Sequence, residues 1–282
     1  MQKFFLADMR QDEKGIHLDQ RAEISESQKE EIEGWFSFSN YFDRCQTVRA
    51  LTLECGNDFL LFCKSLSSHS SYNVKLANTL HLTANKLLIN YLSFLRTFYD
   101  VIGNALSHQK GKDALERFHK YDSQLYDNHF SYRFLKFLRN YITHFDIPLS
   151  GLSFDLHGIA VYSESSALRR DEKWKKIEKE GERLPEKIDV CPYVEDCQGI
   201  IDQLYLNAIE HIFQDVYQSN VQFVDLCKKY KLNNPALLIA NIEDPEAVSV
   251  YNLPQEVFRD YFEEINRHPN YNIKFTALRC PP

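Results

Sequence analysis

The clearest pattern of hydrophobic positions lies between Lys75 and Ser107, where apolar residues recur every three or four positions. A second apolar row runs beside the first, so the stripe is wide, and the segment contains no proline. Such a pattern predicts one long helix that packs against two or more neighbouring elements. Its remaining face is mostly polar and carries Asn90, Ser93, Thr97, Asp100 and Asn104.

Two shorter amphipathic segments follow the long helix. Residues 112–128 and 132–145 repeat apolar positions at helical spacing. Ile147-Pro148 ends the second segment because proline disfavours a helical conformation in the residue before it. The sequence therefore predicts three consecutive helices with short connections.

Helical patterns also occur before this group. Residues 43–66 repeat apolar positions at helical spacing, and Gly56-Asn57 predicts a kink or an end of that helix. A further helix is predicted to begin near Ser25 or Ser27, since Ser27 and Glu30 have the spacing of a capping box.

The two ends of the chain and the segment after Pro148 have other patterns. Residues 1–22 show little periodicity and predict an extended or loosely packed arm. Alternating apolar residues from Leu152 to Leu156, a turn at His157-Gly158 and a second apolar run predict a short β-hairpin. Residues 197–230 predict one long C-terminal helix.

Together these elements predict a mainly α protein: a helical-bundle core with a small β-hairpin and a C-terminal helical extension. We expect four parts in chain order. They are an N-terminal arm with helices packing on the core (1–72), the helical core (73–148), the β-hairpin with a charged connection (149–195) and the C-terminal helical extension (196–282).

Composition and charge narrow the class of protein. The chain has 282 residues, of which 44% are apolar and 26% charged, as expected for one or two globular domains. The net charge of −7 argues against a surface that is basic throughout, although a small basic cleft on an acidic body stays compatible with it. No apolar run reaches the roughly 18 residues of a membrane span, so we expect a soluble cytoplasmic protein with no membrane partner.

The seven cysteines predict neither a zinc site nor a disulfide framework. They are odd in number and scattered, and none forms a CxxC pair. We interpret them as reduced, mostly buried thiols, and we expect no metal ion and no cofactor.

The candidate chemistry lies in the last turns of the helix predicted over 132–145, where Arg139, Asn140 and His144 follow one another. The spacing of an arginine and a following histidine does not by itself identify a site, because Arg10 and His17 form a second match in charged, unpatterned surroundings. The first match differs in its position, at the end of an apolar helix and downstream of a long polar-faced helix and a linking helix.

This arrangement resembles the R-x4–6-H signature of the HEPN (higher eukaryotes and prokaryotes nucleotide-binding) superfamily, in which Asn, Asp or His often follows the arginine. The string from Tyr132 to His144, with Pro148-Leu149 after it, is also similar to uncharacterised bacterial proteins with HEPN-like cores. The resemblance covers about residues 75–148. It implies a HEPN-like core over 73–148, a homodimer with a composite site, and a metal-independent endoribonuclease of the toxin or phage-defence kind. RNA would be the substrate and an antitoxin or other protein a partner.

The resemblance also implies roles for individual residues. Arg139, Asn140 and His144 would be catalytic: the arginine would stabilise charge on the phosphate, and the histidine would exchange protons near neutral pH. Further candidates to bind the substrate are Lys136, Arg133, Asn90 and Asp100. Some family toxins carry a tyrosine two residues after the histidine that is modified by an AMP-transferring antitoxin. Here that position is Asp146, which argues against this regulation.

Helix geometry bears on how such a site would be built. Asn140 and His144 are one turn apart on one edge of the helix, whereas Arg139 lies about 140° around the axis from His144. Two copies of the helix across a two-fold axis would bring the arginine and the histidine together more easily than one copy. The alternative hypothesis is a catalytically inactive helical module that binds a nucleotide or mediates dimerisation.

Overall fold

The computed structural model describes residues 2–13, 15–66, 74–155, 158–172, 174, 177, 184–241 and 243–274. The helices of this part are α1 (Glu26–Trp35), α2 (Ser39–Leu66), α3 (Val74–Lys110), α4 (Lys112–Asn128), α5 (Phe130–His144), α6 (Ser165–Leu168), α7 (Cys191–Glu210), α8 (Phe213–Tyr230) and α9 (Glu256–Ile265). The strands are β1 (Gln2–Asp12), β2 (Gly15–Ile24), β3 (Gly151–Asp155), β4 (Gly158–Glu164), β5 (Lys187–Ile188), β6 (Pro235–Asn241) and β7 (Asp244–Asn252). The structure is mostly helical with small antiparallel sheets, which confirms the mainly α class.

The chain divides into two compact units. One unit combines Met1–Phe42 with Ile209–Pro282, and the other is Asp43–Ala208. These boundaries differ from the divisions expected after residues 72, 148 and 195. The reason is that strands from the two ends of the chain share one sheet, which no local pattern reveals.

The sheet of the first unit has the strand order β2-β1-β6-β7, with every neighbouring pair antiparallel. β1 is paired on both sides, and Leu6 and Ala7 within it are fully buried. Residues 2–24 are therefore extended, as expected, but the expectation of a loosely packed arm is wrong. The sequence of β2 shows no alternation of apolar and polar residues, because β2 is an edge strand whose residues are nearly all exposed.

Helix α1 begins at a capping box, although not at the one that the sequence favoured. The Ser25 hydroxyl accepts a hydrogen bond from the Gln28 amide at 3.2 Å, and the Gln28 side chain accepts one from the Ser25 amide at 3.0 Å. Each side chain thus satisfies a backbone N–H group that the first turn leaves without an intrahelical partner. Ser27 lies inside the helix.

Helix α2 runs without a break through Gly56, where the sequence predicted a kink or an end. A Cβ atom at this glycine would lie 3.0 Å from Tyr91 Cε2 and 3.0 Å from Gln198 Nε2. Gly56 therefore serves close packing against two other helices and does not terminate its own.

The second unit contains the three consecutive helices that the sequence predicted. α3, α4 and α5 agree with the predicted segments to within three residues at each end, and all three pack against one another. The predicted stripe of α3 is buried, including Leu88, Leu92 and Ile102, each with no exposed surface. Gly111 connects α3 to α4 with φ of 80°, a left-handed conformation that favours glycine.

The predicted β-hairpin is confirmed as β3 and β4, paired from Gly151↔Tyr162 to Asp155↔Gly158. The short strand β5 joins β4 on its other side. Leu156 of the predicted first strand and His157 of the predicted turn lie outside the described residues. So do most residues from 173 to 183, which belong to the predicted charged connection.

The C-terminal part differs from its prediction in two respects. The helix predicted over 197–230 is two helices, α7 and α8, and the Ile212 amide donates to the Ile209 carbonyl at 3.2 Å where they meet. Neither glycine nor proline marks this break, so the sequence pattern does not show it. Residues 196–282 are also not purely helical, because they contribute β6 and β7 to the sheet of the first unit.

Candidate functional site

Helix α5 places the candidate residues on the border of a buried apolar face. Phe134, Leu135 and Leu138 have no exposed surface, and Tyr141 continues the same face at 1% exposure. Because this face is fixed in the core, the side chains on the other side of α5 are held in defined directions. The amphipathic pattern that the sequence shows over residues 132–145 is therefore confirmed from Phe134 to Tyr141, while Phe145, just after the helix, is 53% exposed.

Arg139 and Asn140 meet at a small cavity. The Arg139 guanidinium donates a hydrogen bond of 3.0 Å from Nη1 to Asn140 Oδ1, and both side chains are half-buried. The cavity beside them has a volume of about 60 Å³. It is lined by Leu95, Arg96, Tyr99, Tyr132, Lys136, Arg139 and Asn140. Three of the predicted site residues are therefore brought together: Lys136, Arg139 and Asn140.

Lys136 is anchored by a buried carboxylate. Its ammonium group lies 3.1 Å and 3.0 Å from the two carboxylate oxygens of Asp122. It also lies over the rings of Tyr99 and Tyr132, at 4.9 Å and 4.7 Å from their centroids. The charge of Lys136 is thus largely neutralised before any ligand arrives.

The tyrosines around this pair stay protonated at neutral pH. The Tyr132 hydroxyl donates to Asp122 Oδ1 at 2.6 Å, and burial followed by the nearby carboxylate raises the pKa of Tyr132 far above its usual range. Burial likewise raises the pKa of Tyr99 to about 12. The Tyr132 hydroxyl therefore stays a neutral donor that holds the carboxylate in place.

The cations of the cavity differ in how they are paired. Arg96 Nε lies 2.7 Å from Asp100 Oδ2 on the same helix, and Lys136 is paired with Asp122. Within the described residues, the Arg139 guanidinium donates only to the neutral Asn140 side chain and forms no ion pair. Among the described residues at the cavity, three cations and two carboxylates leave one net positive charge, and the cation without an ion pair is Arg139.

His144 is the last residue of α5 and is exposed to solvent, and it does not line the cavity. Its neighbours Phe145 and Ile147 expose 53% and 46% of their surface. One copy of the chain therefore does not bring His144 and Arg139 to the same cavity, as the helix geometry led us to expect.

The remaining predicted residues lie elsewhere. Arg133 is buried, and its Nη1 donates to the carbonyls of Tyr126 and Asp127 at 3.0 Å and 2.9 Å, which caps the end of α4. Asp100 holds Arg96, while Asn90 is exposed and does not line the cavity. The second sequence match, Arg10 and His17, pairs across two strands and not on a helix.

Sequence reasoning missed Arg96, Tyr99, Tyr132 and Asp122 as members of this cluster. One signal was available: Asp122 falls between Phe118 and Leu125 on the apolar face of α4, where an aspartate needs a partner. Its partners come from α3 and α5, so the sequence alone does not identify them.

Comparisons with protein-family models, with curated proteins and with solved structures find no match. Within the described part of the chain, no helix combines the length and the apolar character that crossing a membrane requires. The same residues contain no group of three or more His, Cys, Asp or Glu side chains that could hold a metal ion.

Proposed function

We propose that this chain is a metal-independent endoribonuclease of the HEPN type that acts as a homodimer, with Arg139, Asn140 and His144 at its site. A toxin or phage-defence effector is the setting that such an activity fits, with an antitoxin or other protein as its regulator. The proposal rests on the motif and on the arrangement of the cations around the cavity.

The observation that supports it most is the state of Arg139. Arg96 and Lys136 already have carboxylate partners, whereas Arg139 is oriented by the neutral Asn140. A guanidinium held in this way can donate two parallel hydrogen bonds to phosphate oxygens without first breaking an ion pair. This is the group that stabilises charge developing on a phosphate during transfer.

The size of the cavity also supports a phosphate rather than a whole nucleotide as its occupant. Pockets that enclose a small organic ligand usually have about 300–1,000 Å³, against about 60 Å³ here. An RNA strand that crosses the surface can place one phosphate there and leave its bases outside.

The reaction would be attack of an RNA 2′-hydroxyl on the adjacent phosphorus. The bond to the 5′ oxygen breaks, which leaves a cyclic phosphate on one product and a 5′-hydroxyl on the other. His144 accepts the proton of the attacking hydroxyl or donates one to the leaving oxygen. Since His144 does not line the cavity of its own copy, we assign this role to the His144 of a second copy, and exposed Phe145 and Ile147 beside it supply apolar surface for the dimer.

A second candidate is a helical module that binds a small ligand without cleaving RNA. It is favoured by another cavity in the unit formed by residues 43–208, with a volume of about 880 Å³. That volume lies in the range of ligand pockets.

The deciding experiment is incubation of mixed labelled RNAs with purified protein in excess EDTA, followed by analysis of the product ends. The matched pair of variants is His144→Ala and His108→Ala, since His108 is also an exposed histidine in the last turn of a helix in the same unit. We expect cyclic-phosphate ends from wild type and His108→Ala, and a loss of about 100-fold or more in His144→Ala.

Two results would count against the proposal. Equal cleavage by His144→Ala and wild type would remove His144 from the site. Intact RNA with all three proteins, together with a rise in melting temperature on addition of nucleotides, would favour the binding module.

A further inference from the structure

The four-stranded sheet of the unit formed by residues 1–42 and 209–282 has two edge strands that differ in charge and exposure. The strand order β2-β1-β6-β7 leaves β2 and β7 each with a neighbouring strand on one side among the described residues. The other side of an edge strand presents main-chain N–H and C=O groups, with which the strand of another molecule can form hydrogen bonds.

The edge at β2 is protected by charge. Strand β2 carries Asp19, Arg21 and Glu23, with His17 before them. The Arg21 guanidinium lies 2.8 Å from the Asp19 carboxylate. Charged side chains on an edge strand oppose pairing with another strand, because they would have to lose water or meet like charges.

The edge at β7 lacks this protection from Ala247 to Asn252. The run contains no charged residue and no proline. Its pairing with β6 is regular, since the register shift between the two strands lies outside it, at Asn241. Val248 and Val250 each expose 43% of their surface, and Tyr251, on the other face of the sheet, exposes 51%. The β7 edge is therefore uncharged, regular and accessible to solvent.

The pairing with β6 shows which main-chain groups of β7 point outward. The Leu253 amide donates to the Pro235 carbonyl of β6 at 3.0 Å, so residue 253 turns its main-chain groups towards β6. In an antiparallel pair this direction alternates from one residue to the next. Val248, Val250 and Asn252 therefore direct their N–H and C=O groups to the open edge.

We propose that the β7 edge binds the β7 edge of a second copy of this chain, with the two strands antiparallel and related by a two-fold axis at Val250. This register pairs all three outward residues: Val250 with the partner's Val250, and Val248 with the partner's Asn252. It forms about six main-chain hydrogen bonds and joins the two sheets into one. The inference is independent of the ribonuclease proposal, because it uses no residue of the candidate site.

The sequence of β7 is compatible with itself in this register. Val250 meets its own copy, Ser249 lies opposite the partner's Tyr251, and no like charges face each other within the run. Pro245 and Pro254 flank the run on its two sides. Proline cannot donate to a β-ladder, so the paired length ends symmetrically in both copies. Self-complementarity of this kind is what an interface between two identical copies requires, and it favours a second copy over an unrelated strand.

Charge at position 250 tests the pairing. Val250→Lys and Val250→Glu each place like charges opposite one another across the axis, whereas an equimolar mixture of the two variants places opposite charges there. One strand per copy makes a small contact, so the molar mass of the full chain is measured by sedimentation equilibrium from about 5 to 500 μM. We expect wild type and the mixture to reach about twice the average mass of either variant alone.

The matched control is Ile16→Lys, because Ile16 is an apolar residue of the other edge strand and is 63% exposed. We expect its mass to equal that of wild type at each concentration. RNA cleavage by Val250→Lys is also compared with that of wild type. Unchanged cleavage together with a lower mass separates the β7 contact from any dimer that the ribonuclease proposal requires.

A second readout is amide hydrogen exchange, resolved by residue with NMR spectroscopy. Raising the concentration of wild type is expected to slow exchange at Val248, Val250 and Asn252 and to leave Ser249 and Tyr251 unchanged, since these two already face β6.

Three results would overturn the proposal. They are a wild-type mass that Val250→Lys does not lower, a mixture of the two charged variants that associates no more than each alone, and no slowing of exchange at the three outward amides. A lower mass in Ile16→Lys with none in Val250→Lys would assign the contact to β2 instead.

Discussion

The Tyr132 hydroxyl donates a hydrogen bond of 2.6 Å to the buried carboxylate of Asp122, and this contact joins α5 to α4 directly beneath the candidate site. The same carboxylate holds the Lys136 ammonium at 3.0 Å. A buried aspartate thus organises one side of the cavity that Arg139 and Asn140 face. The contacts of Asp122 give the first of four predictions.

We expect Asp122→Asn to lower the free energy of unfolding by about 2 kcal/mol or more. The amide has the shape of the carboxylate and still accepts from Tyr132, but Lys136 is left partly buried without its counter-ion. Urea unfolding can be followed through Trp174, which is fully buried in this unit, in a Trp35→Phe background.

The control for this prediction is Asp100→Asn. Asp100 forms an ion pair with Arg96, yet both side chains are nearly half exposed, at 45% and 49%. Water screens such a pair, so its loss is expected to cost less than about 1 kcal/mol. Equal effects of the two variants would contradict a special role for Asp122.

The second prediction concerns two helical glycines. Gly56→Ala is expected to lower the free energy of unfolding by about 1–2 kcal/mol, because the added methyl group meets Tyr91 and Gln198 and this strain exceeds the gain in helix propensity. Gly199→Ala, in α7, meets nothing within 4 Å and is expected to stabilise by about 0.5–1 kcal/mol. Urea unfolding of both variants measures the two changes in stability. Stabilisation by Gly56→Ala would show that the Tyr91 and Gln198 side chains move aside at little cost.

The third prediction separates a composite site from a site within one copy. Arg139→Ala and His144→Ala are each expected to be inactive on RNA. If Arg139 of one copy works with His144 of the other, mixing the two variants and allowing subunits to exchange restores about one quarter of wild-type activity. That fraction follows because half of the dimers are mixed and each mixed dimer has one intact site of two.

The measurement is cleavage of labelled RNA in EDTA before and after exchange, with each variant alone as its control. A mixture that stays inactive although mixed dimers have formed would place both residues of a working site in the same copy.

The fourth prediction concerns alkaline pH. The pKa of Tyr99 is about 12 in the folded protein, against about 10 for an unperturbed tyrosine, because the ring is partly buried. Between these values the unfolded chain binds fewer protons than the folded one, so the contribution of Tyr99 is complete below pH 10 and is lost as the pH rises towards 12. Tyr99→Phe cannot ionise in either state, and its stability is expected to fall less steeply over this interval.

Urea unfolding at several pH values, followed through Trp174, measures this slope. Tyr251→Phe removes an exposed hydroxyl from the other unit and serves as the control. An unchanged slope in Tyr99→Phe would mean that this tyrosine titrates alike in the folded and unfolded chain.

The sequence predicted well those elements whose pattern is local. The stripe of α3 and the amphipathic faces of α4 and α5 were visible, since each buries one face along its whole length. The alternation of β3 and β4 was visible for the same reason. The exposed edge strand β2 and the break between α7 and α8 were not, because neither leaves an apolar period or a glycine or proline in the sequence.

By itself, the sequence determined the mainly α class, the order of α3 to α5 and the side of α5 that carries Arg139 and Asn140. The tertiary structure alone decided that Asp122 neutralises Lys136 and that, within the described residues, Arg139 forms no ion pair at the cavity. The physical reason is that the period of a helix follows from its own residues. The partner of a buried charge comes from another helix, at a distance along the chain that no local pattern records.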